Sequence, residues 1–257
     1  MKEQDKFEKS NLFEGMVSVR ALLCAYESEH NDRRILEILY DKDKVKRNPK
    51  ERAFLQKRGE TLGFAVKDVS KEEIDLLAIG QSHGGVLAQC GERTIAALTA
   101  DRIKPNGFYA MIEGIEDPYN FGYALRSLYA AGVDGVILPA RNWMSAAGVV
   151  CRSSAGASEE MTLLRADSAE YAAAMFQQAG YKLVCADLPN SVPMYDSDLT
   201  LPLFLVIGGE KRGISKPVLD KADAIVRIDY GRDFEAALSA ASAAAILGFE
   251  VYRQNRK

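Results

Sequence analysis

Residues 108–138, FYAMIEGIEDPYNFGYALRSLYAAGVDGVIL, give the clearest indication of the fold. This stretch opens with an apolar run at residues 108–112 and ends with another at residues 135–138, and both are typical of buried strands. Between them an Asp-Pro turn precedes residues 121–131, where apolar side chains recur at helical spacing. A strand, a helix and a strand in this order predict a βαβ unit with two parallel strands.

The same alternation continues towards the C-terminus. Further strands are predicted at residues 181–186, 203–207 and 224–228, and further helices at residues 168–179, 214–222 and 235–253. Such alternation is typical of a mostly parallel sheet with helices on both faces. Ligands bind these sheets beyond the carboxyl ends of the strands, so the loops at those ends are the candidate functional segments.

The first hundred residues predict a smaller α/β unit. Helices are expected at residues 12–29 and 70–79, and strands at residues 34–40, 64–69, 86–90 and 94–99. Ser70 and Glu73 have the spacing of a capping box. The polar segment DRIKPNG, residues 101–107, contains a proline and a glycine and is the predicted linker. We therefore divide the chain into domains at residues 1–100 and 108–257.

Composition excludes several classes of protein. The 257 residues are 47% hydrophobic, with 33 basic and 36 acidic side chains, which is ordinary for a globular protein. The longest nearly apolar run, residues 236–249, is too short to span a membrane, and the N-terminus lacks the apolar core of a secretory signal. We expect a cytoplasmic protein. The four cysteines are scattered without a CxxC pair, so no metal site is expected.

Charge is unevenly distributed along the chain. The formal net charge of −3 disfavours a protein that binds nucleic acid over its whole surface. Residues 42–58 nevertheless contain eight cations against two carboxylates, a local charge of +6. A charge run of this kind is either a solvated helix face or a face that contacts phosphates, and the residues alone leave both open.

The first candidate loop follows the first strand of the βαβ unit. Asn120 is placed to cap the helix, Gly122 allows close approach to the backbone, and Arg126 lies one turn further along the same side. A structural interpretation, with Asn120 as the N-cap and Arg126 as a solvated helix residue, stays open at this point.

The second candidate loop is FLVIGGEKRGIS, residues 204–215, where an apolar strand leads into glycines and charges before a helix. This order fits a nucleotide cradle formed by backbone N–H groups. Ile214 stands where a Walker loop requires lysine, and the GxGxxG spacing is absent, which disfavours a P-loop or nicotinamide enzyme. A tight turn that needs positive φ is the alternative.

A third loop, around Gly231, leads from a strand into a long alanine-rich helix. Tight helix packing, within the chain or across a dimer interface, would account for the small side chains.

Together the three loops resemble the SpoU/TrmH family of AdoMet-dependent RNA ribose 2′-O-methyltransferases, in the SPOUT superfamily. Asn120, Gly122 and Arg126 reproduce the family motif N-x-G-x-x-x-R. Residues 208–215 look like the second motif, and SSAGA at residues 153–157 is another hallmark. The N-terminal stretches EGMVSVRALL and HGGVLAQ resemble, more weakly, the RNA-binding domain of the family.

The resemblance implies an α/β fold in two parts: a C-terminal parallel-sheet α/β/α domain with a deep trefoil knot, preceded by a smaller α/β sandwich that binds RNA. It implies a homodimer with S-adenosyl-L-methionine (AdoMet) bound in the knot. The implied cofactor-binding residues are Asp187, Leu188, Gly208, Gly209, Gly213, Ile228, Leu238 and Ser239. In the implied catalytic site, Arg126 orients an RNA phosphate and assists deprotonation, Asn120 shapes the site and Glu210 orders the second loop.

The implied substrate is RNA. Ribosomal RNA is favoured because an added N-terminal domain is typical of the rRNA enzymes, and tRNA stays open as the alternative. The cations expected to contact it are Lys42, Lys44, Lys46, Arg47, Lys50 and Arg52. A ribose 2′-hydroxyl must lose a proton, whereas the methyl group of AdoMet is already activated. The reaction therefore does not require a histidine, and the chain has only His30 and His83.

The third motif departs from the family pattern. The family usually has I-P-M and S-L-N, whereas residues 228–230 are IDY and residues 237–239 are ALS. Ser239 can form part of the hydrogen bonds expected of the Asn, but Ala237 can form none of those expected of the Ser hydroxyl. Asp229 adds a carboxylate near the pocket. This departure motivates an alternative function, a catalytically silent RNA-binding or ribosome-assembly protein that keeps the fold.

Overall fold

The protein is described by a computed structural model, which covers residues 11–81, 83–139, 143–209, 212–234 and 236–256. Its contacts define two compact units. The first contains the chain up to residue 94 together with residues 143–160, and the second contains residues 95–142 and the chain from residue 161 onwards.

The secondary structure alternates along most of the described chain. The strands are β1 (Leu12–Glu14), β2 (Ile35–Asp41), β3 (Ala65–Val69), β4 (Val86–Cys90), β5 (Ala96–Ala97), β6 (Phe108–Glu113), β7 (Gly135–Leu138), β8 (Leu163–Arg165), β9 (Lys182–Ala186), β10 (Val192–Pro193), β11 (Leu203–Gly208) and β12 (Ala224–Arg227). The helices are α1 (Gly15–Glu27), α2 (Lys42–Arg47), α3 (Pro49–Leu62), α4 (Lys71–Leu77), α5 (Pro118–Ala130), α6 (Ala147–Ser153), α7 (Ala157–Glu160), α8 (Ala169–Gln178), α9 (Lys216–Leu219) and α10 (Ala240–Asn255).

The first unit contains a four-stranded sheet in the order β1-β4-β2-β3. The β2–β3 pair is parallel and the other two pairs are antiparallel. A large apolar cluster that includes Val19, Ile38 and Leu55 packs α1 and α3 against the sheet. A smaller cluster of Leu12, Ile74 and Leu87 packs α4 against it. The unit is therefore a layered α/β structure with two buried clusters.

The second unit contains an eight-stranded sheet in the order β10-β12-β9-β11-β6-β7-β8-β5, and every strand pair in it is parallel. Its main core contains the stacked rings of Phe176 and Phe204, whose centroids lie 4.2 Å apart. The predicted parallel α/β sheet is confirmed. The trefoil knot stays a prediction.

Residues 101–107, the predicted linker, pack within the second unit. Ile103 is buried in the core, and the Gly107 amide donates to the hydroxyl oxygen of Tyr181 at 2.9 Å. The short strand β5 pairs with β8 and so belongs to the large sheet. The predicted roles of residues 1–100 and 108–257, in RNA binding and in cofactor binding, stay predictions.

Several element bounds differ from expectation. The helix expected at residues 12–29 begins only at Gly15, whose φ of +79° separates it from a buried strand. The helix expected at residues 235–253 begins at Ala240, because the Ser239 side chain caps it. The predicted capping box of Ser70 and Glu73 is confirmed. No described helix combines the length and the apolar composition that a bilayer span requires.

Candidate functional site

A cleft of about 240 Å³ lies in the second unit, at the carboxyl ends of the neighbouring strands β12, β9 and β11. Seven of the eight residues expected to bind the cofactor line this cleft: Asp187, Leu188, Gly208, Gly209, Gly213, Ile228 and Leu238. The loops that carry them are far apart in sequence, and the parallel sheet brings their residues to one place. Tyr230 and Leu247 also line the cleft and were not identified from the sequence.

The glycines of the second loop are required by close backbone packing. A Cβ atom on Gly209 would lie 2.2 Å from the carbonyl oxygen of Gly114, and one on Gly208 would lie 2.9 Å from Gly213. Gly213 has a φ of +62°, so the tight-turn interpretation holds for this residue. Gly209 and Gly213 also pair across the loop through an amide-to-carbonyl hydrogen bond of 3.1 Å. The loop is therefore a compact turn pressed against the first loop.

Glu113 connects the two loops and was missed by sequence reasoning. Its carbonyl oxygen accepts from the Gly209 amide at 2.6 Å, and its carboxylate accepts from the Ser215 amide at 3.1 Å. Glu113 is the last residue of β6 and directly precedes the first loop. A carboxylate at the end of a buried strand is the one feature of the sequence that could have indicated its role. Glu113 thus fixes the second loop at both of its ends.

The first loop is capped differently from expectation. The side chain of Asp117 accepts from the Asn120 amide at 2.9 Å, so Asp117 is the N-cap of α5 and Asn120 lies inside the helix. The interpretation of Asn120 as the cap is therefore wrong, because Asp117 occupies the capping position. Arg126 lies further along α5, is exposed to solvent and forms no ion pair among the described residues. Glu210 lies outside the described residues.

Three contacts involve the unusual residues of the third loop. The Leu238 amide donates to the Tyr230 hydroxyl oxygen at 3.1 Å, which links the end of β12 to the start of α10. Asp229 accepts from Arg227 Nε at 2.8 Å, so its carboxylate has a cation of its own. Ser239 caps α10 by accepting from the Ser242 amide at 3.1 Å, and it does not line the cleft.

The buried thiol of Cys185 lies on β9, one residue before the strand ends. Burial raises its pKa to about 12, and the neighbouring carboxylates of Glu113 and Asp187 add to the shift. A thiol with such a pKa stays protonated and is a poor nucleophile. The cleft therefore offers no reactive cysteine on this strand, and its chemistry depends on backbone groups and carboxylates.

The six cations expected to contact RNA lie on α2 and α3 in the first unit. Two of them are held within the protein: Lys44 lies 2.5 Å from Glu51 and Arg52 lies 2.6 Å from Asp68. The other four are exposed and form no ion pair in the described part of the chain: Lys42, Lys46, Arg47 and Lys50. In the same ranges, no group of His, Cys, Asp or Glu side chains is arranged to hold a metal ion.

Comparison with known proteins decides the family. The model of the SpoU rRNA Methylase family matches residues 107–249, more than half of the chain. The chain belongs to the SpoU rRNA methylase family. This membership places it among the RNA methyltransferases and confirms the resemblance of the three loop motifs.

Individual relatives agree with this placement. A putative TrmH family tRNA/rRNA methyltransferase of Staphylococcus haemolyticus is 33% identical over 197 residues, which cover 75% of this chain and 78% of that protein. The 23S rRNA (guanosine-2′-O-)-methyltransferase RlmB of Shewanella oneidensis is 26% identical over 97% of this chain and 99% of its own.

A solved structure supports the fold. The AdoMet-bound rRNA methyltransferase from Sinorhizobium meliloti superimposes with a TM-score of 0.77 at 22% identity, over 98% of this chain and 90% of that chain.

Proposed function

We propose that the protein transfers a methyl group from AdoMet to a ribose 2′-hydroxyl of ribosomal RNA. The observation that carries the proposal is the direct contact between the first two loops, in which Gly209 donates to Glu113. This contact joins the glycine turn at the cleft to the loop that leads into Asn120 and Arg126. A cofactor site and a substrate site would then be adjacent.

The cleft fits AdoMet by its chemistry. Apolar side chains of Leu188, Ile228, Leu238 and Leu247 form walls suited to an adenine ring. Leu188 is 66% exposed, so its apolar side chain is accessible to a ligand in the cleft. The glycine turn presents backbone, and Asp187 contributes a carboxylate for a positively charged group. We assign Ser239 a supporting role as the cap of α10.

AdoMet supplies a methyl group that is already activated by its positive sulfur. The protein's own residues then have to bind the RNA, align the ribose and help its hydroxyl lose a proton. Arg126 is suited to bind the phosphate beside that ribose, because its guanidinium is exposed and free of carboxylates in the described part of the chain. Asn120 would shape the site, and Glu210 would order the second loop.

Support for ribosomal RNA comes from the relative in Shewanella oneidensis, whose name specifies 23S rRNA and a guanosine 2′-O position. That relative is similar over nearly the full length of this chain, including the first unit. RNA phosphates would be contacted by the exposed members of the six expected cations, which are Lys42, Lys46, Arg47 and Lys50. A cytoplasmic location, expected from the sequence, belongs to the same proposal.

We also propose a homodimer. Large apolar side chains are exposed on two helices of the second unit: Tyr123 on α5, and Phe249 and Tyr252 on α10. Each is between 47% and 49% exposed. Exposed aromatic groups on adjacent helices are typical of a surface that another protein covers. Light scattering of the purified protein tests this point, and a monomer at micromolar concentration would contradict it.

Titration calorimetry and RNA methylation test the proposed activity. We expect wild-type protein to bind AdoMet and to transfer labelled methyl groups to undermethylated ribosomal RNA. Arg126→Ala is expected to lower the transfer rate about 100-fold while AdoMet affinity changes less than about twofold, because the side chain acts on RNA. Arg102→Ala, which removes another exposed arginine of the second unit, is the control.

Three results would count against the proposal. Absence of AdoMet and S-adenosylhomocysteine binding contradicts the enzyme at its first step. Persistent RNA binding without cofactor binding or transfer indicates a silent RNA-binding protein instead. Transfer by Arg126→Ala at the wild-type rate would remove that residue from the site.

A further inference from the structure

The first unit contains a cavity of about 770 Å³ that the proposed methyl transfer does not use. It lies where the parallel strands β2 and β3 end, between the loop after β2 and the loop before β4. The lining side chains and backbone that matter here are those of Arg47, Lys71, Asp75, Gln81, His83 and Gly84. A cavity of this size falls in the range of sites that hold one small organic ligand.

His83 forms a rigid wall of this cavity. The side chain is 7% exposed, and both of its ring nitrogens are engaged. Nε2 lies 3.0 Å from Oδ1 of Asp75, and Nδ1 accepts from the Gly85 amide at 3.1 Å. Because Nδ1 accepts, the proton of the neutral ring is on Nε2 and points to Asp75. A ring held at both nitrogens cannot rotate, so it forms an immobile part of the cavity wall.

The glycine pair after His83 keeps one side of the cavity open. Gly84 and Gly85 have φ values of +58° and +72°. A Cβ atom on Gly85 would lie 2.9 Å from Cβ of Asp41, so this residue packs against the end of β2. A Cβ atom on Gly84 would meet no atom within 4 Å. The backbone at Gly84 is therefore accessible to a ligand.

Two cations of the cavity, Arg47 and Lys71, are suited to bind one phosphate group. Arg47 and Lys71 are exposed and have no ion pair among the described residues, whereas Lys44 is neutralised by Glu51. The other polar side chains that line the cavity are the carboxylates of Asp41 and Asp75 and the amides of Asn48 and Gln81. Carboxylates accept hydrogen bonds, and amides both donate and accept them, so these groups can pair with a polar ring edge. Two free cations beside such groups match a phosphate joined to a nucleobase.

We propose that this cavity binds one unstacked nucleotide of the RNA substrate, with its phosphate at Arg47 and Lys71 and its base against His83 and Gly84. The proposal rests on the proposed function, because it takes RNA as the substrate. It names the part of RNA that the first unit recognises: an unpaired, extruded nucleotide. Fully paired RNA keeps its bases stacked and cannot supply one.

Fluorescence anisotropy of the full chain tests this recognition. The probes are two labelled RNA hairpins whose strands are joined by the same non-nucleotide linker in place of a loop, and they differ only in one bulged nucleotide. We expect the wild-type protein to bind the bulged hairpin more tightly. Lys71→Gln and Arg47→Gln should each weaken binding of the bulged hairpin roughly tenfold, as expected for the loss of one charge-assisted phosphate contact, and should affect the paired hairpin less than about threefold. Lys57→Gln is the control, because Lys57 is exposed on α3 and does not line the cavity.

Two results would overturn the proposal. Equal loss of affinity for both hairpins would show that Arg47 and Lys71 act only as diffuse charge. Unchanged affinity in both variants would show that the cavity is not used. AdoMet calorimetry on the same variants separates this proposal from the proposed function. If the protein methylates RNA and both variants bind the bulged hairpin with wild-type affinity, only the role of the cavity is refuted. If the protein does not bind AdoMet, the enzyme is refuted, and selective binding of the bulged hairpin still supports the cavity.

Discussion

Gly209 must be glycine because of a neighbouring loop, not because of its own backbone angles. A Cβ atom would lie 2.2 Å from the carbonyl oxygen of Gly114 and 2.8 Å from that of Glu113. Backbone atoms cannot yield as flexible side chains do, so a methyl group must push the two loops apart. The hydrogen bond from the Gly209 amide to Glu113 would lengthen with them.

Gly209→Ala is therefore expected to weaken AdoMet binding at least about tenfold, which corresponds to about 1.4 kcal/mol. Titration calorimetry measures it. The matched control is Gly231→Ala, since Gly231 lies in the third loop and a Cβ atom there meets nothing within 4 Å. Equal affinities of the two variants would show that the contact between the loops does not shape the cleft.

The sequence predicts the role of a residue where that role depends on its neighbours in the chain. The glycines of the second loop were identified because their spacing after an apolar strand is visible in the chain. Glu113 and Tyr230 were missed because their roles depend on hydrogen bonds to Ser215 and Leu238, which local patterns do not reveal. The supposed cap Asn120 was wrong for a related reason: Asp117, three residues earlier, is an equally good cap and takes that role.

At the scale of elements, the start of α10 depends on one hydroxyl. Ser239 accepts from the Ser242 amide and ends the extended segment before the helix. Ser239→Ala should lower the free energy of unfolding by about 1 kcal/mol, whereas Ser239→Asn should leave it within about 0.5 kcal/mol, because asparagine caps helices as well as serine does. Urea denaturation measures both. A stability loss as large in the Asn variant as in the Ala variant would contradict a capping role.

A buried ion pair holds the segment α6–α7 to the rest of the first unit. Arg33 Nε lies 3.1 Å from Oε2 of Glu159, with the two side chains 3% and 0% exposed. Asn31 also donates to the Glu159 carbonyl oxygen at 2.7 Å. Removal of one partner would leave a buried charge without compensation.

Glu159→Gln is accordingly expected to destabilise the protein by about 3 kcal/mol in urea denaturation. The control is Glu37→Gln, which breaks a more exposed ion pair with Lys67 and should cost less than about 1 kcal/mol. Similar losses in the two variants would mean that burial does not distinguish these pairs.

The two helices of this segment are too short to be predicted from the sequence. The βαβ unit was recognised because its strands and helix are long enough to display a period. The helices α6 and α7 contain only seven and four residues. Such short segments cannot show apolar residues recurring at helical spacing, so the sequence predicts neither helix. Their placement depends on distant contacts: a Cβ atom on Gly148 would lie 2.0 Å from the Leu12 carbonyl oxygen.

At the scale of the whole molecule, the parallel sheet was predictable because buried parallel strands are continuous apolar runs. The grouping of residues 143–160 with the first unit was not, because the sequence places them between two strands of the second unit. The net charge of −3 was similarly uninformative about RNA, since it averages over cations that the fold places on α2 and α3.

Buried thiols in both units make the whole molecule sensitive to alkaline pH. Burial raises the pKa of Cys90 and of Cys185 to about 12, from a usual value of 9.0, and raises that of Cys151 as well. Above pH 9 the unfolded chain releases these protons while the folded protein retains them. The stabilisation is therefore complete below pH 9 and is lost as the pH rises from about 9 towards 12.

We expect the free energy of unfolding to fall between pH 8 and pH 10, by about 1 kcal/mol for each of Cys90 and Cys185. Cys185→Ala removes one such group. Between pH 8 and pH 10 the free energy of unfolding of this variant should therefore fall about 1 kcal/mol less than that of the wild type. This difference does not depend on how stable the variant is at pH 8. Cys24→Ala removes the exposed cysteine and should follow the wild type. Urea denaturation at the two pH values provides the comparison. Parallel losses in all three proteins would show that Cys185 does not retain its proton through folding, and would argue that its strand admits water beside the cleft.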